Sequence, residues 1–427
     1  VKEAGAEELE PGGPGGGQTG RSRESAAMVR GSAAPGGVSC SPGGRSGTKP
    51  ERRAEDLEEQ GAAPMSSAEG QTRGGDEARR VLVSGGAGFV GSHLCDLLLS
   101  RGDHVTVVDN LSTGRRVNLP SAHERLRFIE ADLRDALHAF GPGEKFDEIY
   151  HLAAAVGVKL VMEKPIAAIE TNVEETAAIL RFALSRGRDA KGARILITSS
   201  SEVYGKPTKE KFSEEDDVVY GPTTVTRWSY ACSKAIDEYL ALAHHRQSGL
   251  PAVVVRLFNT VGPRQLGEYG MVLPRFVASA LKGEPIVVHG DGRQTRCFCD
   301  VRDVVRVLPV LLSAPACHGR VFNVGSDKQV SIGFLADEVV RVLGSGSQVK
   351  KIAYAEAFAN SPGASSASAG GEGGTGFEDL RHRGPDLSRL RGAVGFEPRI
   401  GLDETIRDVA AWIGAAPSGS RGAGGGA

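Results

Sequence analysis

From Arg80 onward, short apolar runs alternate with longer stretches of helical period. The runs cover residues 81–84, 104–109, 126–132, 148–153, 194–199 and 251–258, each bounded by turn residues or a polar helical stretch. Unbroken apolar runs of this length suit strands covered on both faces, and their alternation with helices predicts βαβ units and a parallel sheet. Between the first two runs, Val90, Leu94, Leu97 and Leu98 recur at helical spacing, which predicts a helix from Gly91. Six strands arranged this way give an α/β fold with a doubly wound parallel sheet. After Asn259 the pattern loosens. A helix over 271–281, a strand over 286–289, a helix over 331–343 and a last ordered stretch over 402–413 read as a smaller C-terminal domain.

Composition changes this picture at the ends and at one internal point. The first aromatic residue is Phe89, and the stretch before it is mostly Gly, Ala, Ser, Arg and Glu. Such a segment buries too little apolar surface to offset its ordering entropy, so residues 1–78 are expected to be a disordered low-complexity leader. Residues 361–376, nearly pure Ser, Ala and Gly, read as a flexible insertion, and 415–427 as a disordered tail. The formal net charge of -2 supplies no basic field for nucleic acid. No apolar run approaches the roughly 18 residues of a membrane span, so a soluble protein is expected.

The leader has no apolar core of a secretory signal, and Glu3, Glu7, Glu8 and Glu10 argue against a mitochondrial presequence. A cytoplasmic setting is expected, with plastid targeting left open by the internal Met28 and Met65. Cysteines are scattered singly except for Cys297 and Cys299, which lack a second pair at metal spacing; no metal site is expected. They read as alternate residues of a buried strand.

Candidate chemistry begins where the first strand runs into Gly85-Gly86-Ala87-Gly88-Phe89-Val90-Gly91. Glycines at these spacings allow a tight turn, close approach to a pyrophosphate and close helix packing, with the positive end of the helix behind them. The second strand ends in Asp109-Asn110, where a carboxylate can accept from ribose hydroxyls and repel a 2′-phosphate. That favours NAD over NADP, although Arg115 and Arg116 lie close by. Tyr230 and Lys234 stand four residues apart, on one face of a helix. An ammonium there lowers the phenol pKa, and an oxidised nicotinamide would add to the effect. Tyr230 can then take a proton from a sugar hydroxyl. The fifth strand runs into Ser200-Ser201-Glu202, at the carboxyl end of the sheet where ligands bind in such folds.

Taken together these residues resemble the extended short-chain dehydrogenase/reductases that act as nucleotide-sugar epimerases, dehydratases and decarboxylases. The match includes 85–91, Asp109-Asn110, Asp132-Leu133, 151–155, Asn172, 200–205, Tyr230 with Lys234, 257–264 and 292–298. The resemblance implies a Rossmann NAD-binding domain over 79–257, a nucleotide-sugar substrate domain over 258–414, and a homodimer. It also implies that Asp132 and Leu133 flank the adenine and that Lys234 binds the nicotinamide ribose. Asn259, Arg296 and Arg383 fall where the family contacts the substrate diphosphate or sugar, and the main chain of Val287 and His289 where it meets a uracil.

Members of this group all oxidise C4 of the hexose and diverge in the later steps. Dehydratases typically carry Asp-Glu after the hydroxyl residue, whereas Ser201 replaces that Asp here; simple epimerases usually lack the Glu. Ser200, Ser201 and Glu202 with Arg296 resemble UDP-glucuronate decarboxylases, which form UDP-xylose. A UDP-sugar 4-epimerase is the principal alternative, since residues 270–275 depart from the usual decarboxylase loop. A 4,6-dehydratase and a non-catalytic NAD sensor are the others, and a sensor needs no trio of Ser200, Tyr230 and Lys234.

Overall fold

The computed structural model describes residues 78–154, 164–267, 271–353, 356 and 381–415. The expected leader up to residue 77, the 361–376 insertion and the tail beyond 415 lie outside the described residues.

Seven parallel strands form the central sheet: β1 (Arg80–Ser84), β2 (His104–Asp109), β3 (Leu126–Glu130), β4 (Glu148–His151), β5 (Arg194–Ser200), β6 (Ala252–Leu257) and β7 (Arg320–Val324). Their order is β7-β6-β5-β4-β1-β2-β3, with the reversal at β1 and β4 that marks a doubly wound fold. The connecting helices are α1 (Phe89–Ser100), α2 (Leu133–Ala139), α3 (Pro165–Arg186), α4 (Arg227–Ser248), α5 (Val272–Leu281), α6 (Val301–Ser313), α7 (Ile332–Leu343), α8 (Ser388–Val394) and α9 (Leu402–Ala415).

Side chains alternate across each strand, and both faces are covered. Val81, Val83, Leu196, Val253 and Val255 join Leu94 and Leu98 of α1 and Val304 and Leu308 of α6. Leu82, Ile195, Ile197 and Val254 join Leu137 of α2, Ile179 and Leu180 of α3 and Ala241 of α4. Each fully buried aliphatic side chain contributes about 1.5–3 kcal/mol. A separate core unites α5, α7 and α9 with the strand Ile286–His289 through Phe276, Val277, Val288, Leu335, Val339, Ile406 and Val409.

Two expectations change. The sheet has seven strands rather than six, because Arg320–Val324 pairs in register with β6, Asn323 beside Arg256. The chain thus leaves the sheet after Leu257, builds part of the smaller lobe and returns through α6 and β7. Five residues after a long helix carry too little periodicity to declare themselves a central strand. Cys297 and Cys299, both about 1% exposed, are buried as expected but lie on two successive short strands, Thr295–Cys297 and Cys299–Asp300.

Candidate active site

The glycine loop is held by contacts that leave no room for side chains. Gly85 has φ +72°, and a Cβ on it would stand 2.7 Å from the Ala153 nitrogen; one on Gly91 would stand 2.1 Å from the Gly85 carbonyl oxygen. Only glycine lets the first turn of α1 press this closely on the loop. Gly88 caps α1 without a side-chain bond, so no capping group takes the first-turn N–H donors beside Phe89 and Val90. Asp109, at the end of β2, accepts from the Ala87 and Leu111 amides, both at 2.9 Å. Burial raises its pKa despite those bonds. Asn110 donates to Asp132 at 2.8 Å, and Asp132 stands at the start of α2 without a side-chain bond to it. Leu133 sends its side chain into the core at 3% exposure, which leaves its main chain to meet a ligand. Arg116 donates to the carbonyls of Leu119 and Pro120 and lies 5.0 Å over the Phe128 ring, so this guanidinium is engaged locally. A cradle of glycines, an open helix start and a carboxylate at the next strand end fit a dinucleotide.

Next to the cradle, α4 presents one stripe of functional side chains: Arg227, Tyr230, Lys234 and Asp237, at steps of three, four and three. Ser200 closes β5 and its hydroxyl bonds Tyr230. It also accepts from the Glu202 amide at 3.2 Å, capping the turn Ser201–Tyr204. The expected lowering of the Tyr230 pKa is not found; the phenol is pushed well up. Burial is the main cause, the charges of Glu202 and Asp237 add to it, and only the Ser200 bond opposes it. Lys234 donates to Asp237 at 2.7 Å, and so its charge is largely spent on that neighbour. Asn172 of α3 steadies the same region by donating to Ser233 at 3.1 Å.

Glu202 sits among guanidiniums. Arg383 donates to it at 2.5 Å, Arg227 approaches at 3.5 Å, and Arg296 acts on it through charge. Burial alone would raise this carboxyl, yet Arg383, Arg227 and Arg296 together hold it below the ordinary range. All three arginines are at most 8% exposed, as is Ser201 beside them. Arg383 arrives because Gly384–Pro385 pairs with the short strand Lys211–Phe212, and because Thr295 donates to the Arg381 carbonyl. Its Nε is buried without a hydrogen-bond partner.

The turn that carries Glu202 is pinned from behind. Ser199 donates to Glu238 at 2.5 Å, Glu238 takes two bonds from Arg256 at 2.9 and 2.7 Å, and Arg256 lies 4.7 Å over the Tyr204 ring. Tyr204 donates to Asn323 of β7 at 2.7 Å. Among the other expected substrate residues, Asn259 lies just beyond β6, half-buried, its carbonyl bonded by the Cys299 amide. In the smaller lobe, the Ile286 and Gly290 amides donate to the Gln348 and Ile352 carbonyls, so the main chain of Val287 and His289 turns the other way. The His289 carbonyl accepts from Gln294 at 2.9 Å. Arg227 and Asp237 escaped sequence reading, although their helical spacing from Tyr230 and Lys234 was there to be used.

Residues 81–325 match the model of the NAD dependent epimerase/dehydratase family. The chain belongs to that family. Within it, the chain is 36% identical over 336 residues to a UDP-N-acetyl-alpha-D-glucosaminuronate decarboxylase of Bacillus cytotoxicus, covering 78% of this chain and 98% of that one. It is 34% identical to UDP-glucuronic acid decarboxylase 1 of Xenopus tropicalis, over 77% of this chain and 71% of the relative. Among solved structures it is similar to a UDP-N-acetylglucosamine 4-epimerase from Methanobrevibacter ruminantium, at 28% identity and a TM-score of 0.66, covering 79% and 98%. Family membership accords with the glycine cradle and with the pairing of Ser200 and Tyr230. It does not by itself separate decarboxylation, epimerisation and dehydration.

Proposed function

We propose that this chain is an NAD-dependent decarboxylase of a UDP-linked hexuronate, converting UDP-glucuronate to UDP-xylose. The observation that carries the reading is the cluster beside Ser200 and Tyr230, where three guanidiniums stand against the single carboxylate of Glu202. Excess positive charge at that place suits a substrate with an anionic C6 as well as a diphosphate, and the planar guanidinium fork matches both. Two relatives named as decarboxylases of UDP-linked uronates support it.

The glycine cradle would hold NAD, which when bound would supply a hydride acceptor, and later a donor, for C4. Tyr230 takes the C4 hydroxyl proton while Ser200 orients that oxygen. The C6 carboxylate is then β to a ketone, so carbon dioxide departs and its bonding electrons pass into the ketone as an enolate. Tyr230 and Ser200 donate to the enolate oxygen. C5 takes up a proton from solvent in place of the lost carboxyl group, and when the C4 ketone is reduced again Tyr230 returns its proton to the C4 oxygen. Glu202, held ionised, keeps Arg383 and Arg227 in place. Ser201 offers no carboxyl group for eliminating water from C6. A UDP-N-acetylglucosaminuronate substrate is the second reading, favoured by the Bacillus relative at 36% identity. Exposed apolar side chains on α3 and α4, Ile166 at 72% and Tyr239 at 67%, support a homodimer in this reading.

The test incubates the purified chain and NAD separately with UDP-glucuronate, UDP-N-acetylglucosaminuronate, UDP-glucose and UDP-N-acetylglucosamine, reading products by mass and NMR. Release of carbon dioxide with a UDP-pentose from UDP-glucuronate is expected. Carbon dioxide only from the N-acetylated uronate selects the second reading. An isomer of unchanged mass replaces decarboxylation with epimerisation, loss of water indicates dehydration, and tight NAD binding with no product indicates a sensor.

A further inference from the structure

The Lys234 ammonium and the Asp237 carboxylate are 2.7 Å apart, and their side chains are 2% and 0% exposed. Thr176 of α3 supports the same carboxylate. Beyond it, Thr176 meets His151 Nε2 at 3.1 Å and His151 Nδ1 meets the Ser84 hydroxyl at 2.7 Å, a buried polar line ending under the glycine loop. A lone ammonium one helical turn from a phenol draws it toward phenolate. Paired within one turn of α4 and shut away from water, Lys234 acts on Tyr230 as half of a dipole. We infer that Asp237 is a positioning residue that neutralises Lys234 and thereby makes ionisation of Tyr230 conditional on the positive charge of an oxidised nicotinamide. This rests on Tyr230 as the acid–base group at C4, and it is independent of which sugar is processed.

The surrounding charges agree in sign. Tyr230 feels Glu202 from the turn after β5 and Asp237 from its own helix, and both oppose phenolate. Asp237 faces Lys234 and Glu238, and Glu238 is committed to Arg256 of β6. The charge of Lys234 also reaches His151 of β4 and Glu175 of α3. Removing the Asp237 charge therefore leaves Lys234 free to favour phenolate without touching the arginines that offset Glu202.

The test tracks tyrosinate absorbance of the full chain with rising pH, and subtracts the same curve from Tyr230→Phe to isolate Tyr230. With Asp237→Asn, the Tyr230 signal is expected at least about one pH unit earlier than in the parent, a tenfold gain in acidity. Asp237→Glu, which keeps the charge, should stay near the parent. In the parent, NAD+ should bring the signal earlier and NADH should not. Equal onset in the parent and Asp237→Asn, or equal onset with NAD+ and NADH, overturns the inference. If Asp237→Asn does not fold, Asp237→Ser takes its place: it also removes the charge while keeping a hydroxyl beside Lys234, the same advance is expected, and no advance overturns the inference. None of these readings needs a sugar, so they stand or fall apart from the decarboxylase assay.

Discussion

The cofactor cradle and the arginine cluster lie side by side and are built in opposite ways. The cradle is main chain: glycines that exclude side chains, amides gathered on Asp109, and the start of α1. The cluster is made of long side chains from four separate segments, with Glu202 after β5, Arg227 opening α4, Arg296 on a short strand and Arg383 near the end. Main-chain sites are fixed by local spacing and tolerate almost no change at their glycines. Side-chain sites are fixed by the fold that brings their parts together, so their chemistry can be altered by one substitution. That difference accords with a family whose cradle serves every member while the reaction varies.

The contrast can be broken at several points. Tyr230→Phe, which belongs to both halves, should reduce turnover by about two or more orders of magnitude and leave NAD affinity nearly intact. Titration calorimetry with NAD beside product formation checks it, and a small loss of turnover would remove Tyr230 from its role. Gly91→Ala should damage the cradle alone. Its Cβ meets the Gly85 carbonyl at 2.1 Å, so a loss of about 1–3 kcal/mol in stability is expected together with weaker NAD binding. Arg383→Ala should do the reverse, keeping NAD affinity while raising the sugar-nucleotide KM about tenfold, as fits one charge-assisted bond. It should also move the Glu202 titration upward, since that guanidinium is the strongest influence holding the carboxyl down.

Acid should separate the two halves as well. Buried His151 has its pKa lowered to about 3 by desolvation, with the nearby Lys234 charge contributing. The unfolded chain binds a proton there near pH 6.5 and the folded chain does not. Stability is therefore lost as pH falls from about 6.5 toward 3, by at most about 1.4 kcal/mol per unit from this group. Glu202, whose folded pKa lies below its ordinary value, favours folding at neutral pH and loses that contribution only as pH falls below about 4.5. Chemical denaturation at stepped pH, compared with His151→Asn and Glu202→Gln, distinguishes these windows. Deletion of residues 1–76 should have the smallest effect, leaving melting temperature and activity unchanged.

Legibility in the sequence divides along the same line. Gly85, Gly88, Gly91 and Asp109 can be read because the geometry they adopt depends on local turns, and Ser200 and Tyr230 because strand end and helix face are local patterns. The state of Tyr230 cannot be read, since it depends on Asp237, Glu202 and burial acting against Lys234. Arg383 can be placed only by resemblance. Its position depends on a two-residue pairing between Gly384–Pro385 and Lys211–Phe212, a contact without any period in sequence. β7 escapes sequence reading for a similar reason: a five-residue strand is defined by the slot it fills beside β6.

That late strand has a consequence for how the protein is made. Asn323 binds the Tyr204 hydroxyl and donates to the carbonyls of Phe212 and Asp386, joining three distant stretches at one buried amide. A growing polypeptide that has not yet emerged beyond residue 324 holds nearly all of its cofactor machinery but has no latch behind the reactive turn. Competence therefore arrives late in synthesis, and a fragment truncated before β7 should populate an incompletely closed, aggregation-prone intermediate instead of a minimal enzyme.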